Sequence, residues 1–556
     1  MFLIDGGSIR LKYLFLTRFF HSTINRAACY QMGVLAKEPL QPFFPGATTN
    51  ILLSRQVEQP NPIVYNPRRR FMPFTVDAVT RVKIGCHLVA CVFGYAEQRN
   101  TMRRIRQSCF VSFLLVSTLS VQAADLQIAY FQADASPSIG SPLFYGKTIE
   151  VENPLSARGV VLHGQGQPIV LCAVDWIGIG NSGHSEWRKV LATAAGTTPD
   201  RVAVHALHQH DAPSCDFAAE LVLSEHGLAG QQYDVHDARQ ILANVATAIE
   251  AAGQQLEPVT HVGVGAGEVQ KVASNRRIIG PDGKIQYWRG SASKDEVIRA
   301  QPEGVIDPLV RSISFFNQEK PIVVLCYYAT HPMSYYGTGK ANPDFVGLAR
   351  DSRERALNVP HVYFTGAGGN VAAGKYNDAA HENRQKFADR LAKGMAQAWD
   401  ATEKVPVSTD DLSWHTEEVV LPLATNLIEQ DVLATLRDKN AKLKKRFEAA
   451  RHLVWMRRCD AQDPVVLSCL HLGDARILHL CGELFVEYQL AAQEFQPDKF
   501  VALAAYGDYG PGYIGLEDSY PQGGYEVKQG VSRVAPEVEG VLMPAIGRLL
   551  APGESR

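Results

Sequence analysis

The chain has 556 residues, 46% of them hydrophobic, enough to bury at least one large core. Its 55 Lys and Arg balance 57 Asp and Glu almost completely. A dedicated nucleic-acid binder needs a basic surplus to neutralise phosphates, so nucleic acid is not expected as a partner.

Residues 1–101 mix short apolar pieces such as Tyr13-Leu14-Phe15-Leu16 with unpatterned stretches such as Gln59-Pro60-Asn61-Pro62, and no hydrophobic period is sustained. They are expected to be a spurious upstream extension. Met102 to Asp125 has a different layout. A basic cluster (Arg103, Arg104, Arg106) precedes an apolar stretch from Cys109 to Val121, and small residues close it at Ala123-Ala124. That is the pattern of a secretory signal peptide, and the apolar part is short for a membrane span. The expectation is therefore an initiator at Met102, a signal peptide over 102–124 and one hydrolase domain over 125–556, exported to the periplasm or secreted. Six of the 10 cysteines follow this segment. Cys172, Cys326 and Cys481 sit in apolar runs as small core residues, and Cys459 with Cys469 is the first pair to test for a disulfide.

Beyond the signal, apolar β-branched runs repeatedly end in residues that can do chemistry. Ile169–Val174 leads to Asp175, and Val202–Val204 leads to His205, His208, His210 and Asp211. Ile322–Ala329 leads to His331, and Val362–Phe364 leads to the loop Gly366-Ala367-Gly368-Gly369-Asn370. Ile477–Cys481 leads to Glu483, and Val501–Ala505 leads to a tyrosine-rich stretch over 506–525. Helical patterns lie between them at Glu186–Ala195, Val235–Ala252, Phe345–Leu357, Asn383–Trp399 and a long charged stretch from Leu427 to Arg458. Strands alternating with helices predict an α/β fold, a layered mixed sheet flanked by helices, with the site at the strand C-terminal ends.

Imidazole and carboxylate at these ends suit zinc, whose catalytic sites use three protein ligands and keep one position open. His208 and His210 are two residues apart, so on an extended segment both face one way. The zincin pattern His-Glu-x-x-His is absent, and Asp211 follows too soon for the metallo-β-lactamase pattern.

These segments resemble the catalytic domain of the neutral, non-lysosomal ceramidases. Val204-His205-Ala206-Leu207-His208-Gln209-His210-Asp211-Ala212-Pro213 is similar to that family's His-Thr-His-Ser-Gly-Pro motif. Asn275-Arg276 resembles its Asn-Arg-Ser motif, Ala329–Ser334 its second metal-histidine segment and Gly482-Glu483 its Gly-Glu segment. Tyr513, Tyr520 and Tyr525 follow its tyrosine spacing, and the order of the pieces agrees over roughly 125–530. The resemblance implies zinc held by His208, His331, Glu483 and Tyr513, with His210, Arg276 and Tyr525 contacting the scissile group. It implies an amidase acting on an N-acyl, ceramide-like small molecule or lipid, which is compatible with peripheral contact at a membrane surface; no protein partner is implied. Asp175 and Asp211 are candidates for orienting the ligating histidines.

Three features depart from the family. The loop 366–370 lacks the family's serine and aspartate, the His-x-His tail is Asp211-Ala212 instead of Ser-Gly, and the immunoglobulin-like C-terminal domain has no counterpart before Arg556. The glycine loop is expected to offer backbone N–H groups to an oxyanion. A zinc esterase or other acyl hydrolase on the same scaffold, and a non-catalytic exported protein that retains metal, remain as alternatives.

Overall fold

The computed structural model describes residues 126–552. The upstream segment 1–101 and the expected signal peptide at 102–124 lie outside the described residues.

The α/β expectation holds, with three mixed sheets where one layered sheet was expected. The first sheet orders its strands Glu257–Pro258, Gln127–Asp134, Ser156–His163, Ile169–Val174 and Val202–Ala206. The second orders His361–Thr365, Lys320–Tyr328, Leu309–Asn317, His261–Glu268 and Glu403–Pro406. The third has Leu412–Val419, Val465–Leu472, Ala475–His479 and Phe500–Ala504. Pairing is antiparallel throughout except for one parallel pair in each: Ile169–Val174 with Val202–Ala206, Lys320–Tyr328 with His361–Thr365, and Ala475–His479 with Phe500–Ala504.

Those three pairs are the six apolar runs singled out in the sequence. Antiparallel neighbours put their C-terminal ends at opposite edges, whereas a parallel pair delivers two C-terminal ends to one edge. Backbone hydrogen bonds then join the three edges. Ala206 N donates to Tyr506 O (3.0 Å), Ala505 N to Thr365 O (2.9 Å), and the Thr365 hydroxyl to Leu207 O (2.7 Å).

The strand patterns follow from burial. Ile169, Leu171 and Ala173 face a core shared with the other two sheets, while Val170, Cys172 and Val174 face a second core beneath the helices Asn181–Ala195 and Val235–Ala252. Both faces are apolar, which gives the continuous run. Helices Asp344–Leu357 and Glu382–Asp400 pack beside the second sheet, and Val538–Leu550 covers the third. The expected long helix from Leu427 is two, Glu429–Arg437 and Leu443–Asp460. At the break the Asp438 carboxylate accepts from Asn440 N (2.8 Å), a local turn that competes with helix continuation. No helix among the described residues is long and apolar enough to cross a membrane.

Cys459 and Cys469, the first pair to test, are not bonded: all six described cysteines are free and buried. Each thiol packs as a small apolar group, and burial raises those of Cys172, Cys215 and Cys469 well above the ordinary range. Peptide mass mapping after alkylation in denaturant without reductant should therefore find all six singly alkylated. A disulfide-linked peptide containing any two of them would contradict this arrangement.

Candidate metal centre

His208, His331 and Glu483 converge beyond the strand ends, their ligand atoms all within 4.8 Å of one another. His208 does not lie on an extended strand, as the two-residue spacing had suggested. Its strand ends at Ala206, and its backbone turns into the left-handed region with φ +74°. That conformation costs about 1–3 kcal/mol in a non-glycine residue and persists where the surroundings over-determine it. Here His208 N donates to Trp176 O (2.9 Å) and the ring Nδ1 to Ile177 O (2.6 Å). Tyr506, itself at φ +61°, stacks on the imidazole at 4.5 Å.

His331 is held the same way, its Nδ1 donating to Gly368 O (2.6 Å). A carbonyl only accepts, so each Nδ1 carries a proton, which leaves Nε2 of a neutral ring with its lone pair facing inward. Burial lowers the His331 pKa and so favours the neutral form. The two Nε2 atoms lie 3.2 and 3.0 Å from Glu483 Oε2. Three lone-pair donors aimed at one point repel unless a proton or a metal ion sits among them. The donor set, two imidazoles and a carboxylate, fits zinc.

Glu483 owes its position to a two-residue parallel pairing, Glu483–Leu484 with Tyr513–Ile514, which sets it opposite Tyr513. Its other oxygen accepts from the Tyr509 hydroxyl (2.7 Å), a partner the sequence reading passed over within the 506–525 stretch. Tyr513 Oη lies 3.1 Å from His331 Nε2 and accepts from Arg276 Nη1 (3.0 Å).

All seven predicted site residues gather here, at differing depths. His208, His210, Glu483, Tyr513 and Tyr525 line one pocket. Arg276 stands behind it. The guanidinium donates to Tyr513 and to Gly369 O (3.3 Å), pairs with Glu526 (3.2 Å) and packs on Trp288 and Tyr525, so its influence on a substrate runs through Tyr513. His210 stacks on Tyr145 at 5.6 Å with Nδ1 buried and unpartnered, and burial followed by the neighbouring His208 pulls its pKa well down. Tyr525 is 38% exposed, and burial of the rest of the ring raises its hydroxyl pKa, so it remains a donor. Tyr520 points elsewhere, to Ser532 and Val534 O.

Two expected roles fall to other groups. Asp175 is held by Arg350 (2.6 and 3.0 Å) and Ser156, and Asp211 by Gly337, Thr338 and the Thr338 hydroxyl; the histidines are oriented by backbone carbonyls instead. Three of the glycine loop's five amides are not open to an anion. Gly366 N donates to Tyr328 O, Ala367 N to the Gln489 side chain and Gly369 N to Leu484 O. Its glycines serve close approach: a Cβ on Gly369 would lie 2.3 Å from Glu483 O, and one on Gly368 2.9 Å from the Thr330 carbonyl carbon.

No known family profile and no curated protein matches the sequence. Among solved structures, the fold is similar to that of neutral ceramidase from Pseudomonas aeruginosa, with a TM-score of 0.56 and 15% identity over 77% of this chain and 74% of that one. It is also similar to a structure described as ceramidase complexed with C2, with a TM-score of 0.55 and 15% identity over 77% of this chain and 75% of that one. The chain thus has a ceramidase-like α/β fold that carries a candidate His/His/Glu metal site.

Because a methyl at Gly369 meets rigid backbone, Gly369→Ala should destabilise the protein by about 1–3 kcal/mol and reduce bound metal. Thermal unfolding with metal analysis reads both. A variant that melts and binds metal like the wild type would remove the loop from the site's construction.

Proposed function

We propose that this protein is an exported zinc-dependent hydrolase that cleaves the amide of an N-acyl, ceramide-like substrate. The observation that carries the reading is the convergence of His208 Nε2, His331 Nε2 and Glu483 Oε2 beside a pocket that His210, Tyr513 and Tyr525 also line. The likeness of the fold to neutral ceramidases supports the same direction.

Zinc, held by His208, His331, Glu483 and Tyr513, would polarise the amide carbonyl and lower the pKa of a bound water toward neutrality. The remaining chemistry belongs to the chain. His210, neutral and unpartnered at Nδ1, moves the proton from the attacking water to the leaving amine nitrogen. Tyr525 keeps its hydroxyl proton and donates it in a hydrogen bond to the carbonyl oxygen as charge develops there. Arg276 fixes Tyr513 and sustains positive potential behind it. A neighbouring cavity shares Phe144, Tyr145, Lys444 and Arg451 with the pocket, and its Leu143, Leu443 and Phe447 offer apolar contact to an acyl chain. A substrate of that kind brings peripheral contact with a membrane surface, and the segment 102–124 accounts for export to the periplasm or beyond.

Zinc-reconstituted protein should release fatty acid from N-acyl amides. Tyr525→Phe should lower kcat by about 10²–10³-fold, as expected for losing one oxyanion donor, with metal content unchanged. Turnover of acyl esters alone would shift the reading to an esterase. Absence of turnover on both substrate types, with zinc bound, would refute catalysis.

A further inference from the structure

Buried arginines in this fold are paired with one kind of partner or another. Arg158, Arg350 and Arg384 each meet a carboxylate at 2.6–3.0 Å, and Arg289 is surrounded by backbone carbonyls. Arg451 and Arg533 differ. They are 8% and 6% exposed, and no carboxylate among the described residues lies within ion-pair distance of either. Arg451 Nε and Nη1 are buried without a hydrogen-bond partner, with the Tyr233 hydroxyl beside the group and the Phe144 ring beneath it at 5.1 Å. Arg533 donates from Nη1 to Gly510 O (2.6 Å) and Tyr509 O (3.3 Å) and leaves Nε unpartnered.

A guanidinium does not deprotonate in a protein, and an unpaired buried charge is strongly destabilising. Two of the same sign in one place increase the demand for a counter-charge, and burial together with the Arg451 charge pulls the Arg533 pKa below its usual value. The nearby acids are engaged elsewhere. Asp216 accepts from Asn181 Nδ2 (2.7 Å) and Ala219 N (3.0 Å), and Glu448 pairs with Lys445 (3.0 Å). Both arginines line the same pocket as His208, Glu483 and Tyr513, so the two side chains border the candidate metal centre.

We propose that Arg451 and Arg533 form an oxyanion subsite next to the metal centre, and that the substrate is an N-acyl amide bearing a carboxylate or a phosphate. The planar donor fork of each guanidinium matches either group, whereas a neutral head group would leave the donors unpaired. The subsite itself stands on the two orphaned guanidiniums; its role in substrate choice rests on the amidase reading above.

Equilibrium binding to the purified, zinc-loaded full chain tests this with three probes at fixed ionic strength: N-dodecanoylglycine, phosphorylated N-dodecanoylethanolamine and neutral N-dodecanoylethanolamine. One of the two anionic probes should bind about tenfold or more tightly than the neutral one, and which of them does so identifies the oxyanion. Arg451→Met and Arg533→Met should each bring that ratio toward one, and Arg451→Lys should keep part of it. Because the ratio is taken within one preparation, a partly folded variant does not distort it. If Arg451→Met fails to fold, Arg533→Met and Arg451→Lys carry the comparison. A wild-type ratio near one, no binding of any probe, or a preference that survives both methionine substitutions overturns the subsite. Binding with the expected preference but no hydrolysis retains the subsite and counts against the amidase reading alone.

Discussion

The geometry depends on one buried carboxylate oxygen facing two imidazole nitrogens. Glu483 Oε2 is 3.2 Å from His208 Nε2 and 3.0 Å from His331 Nε2, with Tyr509 holding the opposite oxygen. A carboxylate at this depth is unfavourable unless charge or hydrogen bonds answer it. Backbone carbonyls fix both rings through Nδ1, so neither ring can rotate to relieve the convergence. The result is a preorganised set of donors, and the strain at His208 is part of what maintains it.

That convergence is a product of topology. Each of the three sheets is antiparallel except for one parallel pair, and each parallel pair sends two C-terminal ends to a common edge. The first sheet brings His208, the second His331 and the glycine loop, and the third Glu483 and the tyrosines. Gly368 and Gly369 allow the second and third contributions to approach, since side chains there would collide with the Thr330 and Glu483 backbones. The loop's departure from the ceramidase pattern therefore bears on packing, and the amides of Gly366, Ala367 and Gly369 are committed to protein acceptors.

Much of this was legible in the sequence. The six apolar runs are visible because strands buried on both faces show no alternation, and the residues after them stand out by their chemistry. The count of sheets was not legible, because apolarity reports burial without saying which neighbour a strand pairs with. His208 escaped the period-two argument because a left-handed turn replaces the extended strand. The true orienting groups, the Ile177 and Gly368 carbonyls, are backbone atoms that any residue supplies, so Asp175 and Asp211 attracted an assignment that Arg350 and Thr338 in fact take up. Tyr509 was hidden among neighbouring tyrosines. Arg451 and Arg533 left no signal at all, because an unpaired guanidinium can be recognised only once its surroundings are known.

The central claim is that a metal ion belongs among His208, His331 and Glu483. Anomalous diffraction at the zinc absorption edge, on crystals of zinc-reconstituted protein, addresses it directly. The account predicts one strong peak per chain in direct contact with both Nε2 atoms and with Glu483. A fully folded chain with no peak there, or with its bound zinc at another group of residues, would contradict it.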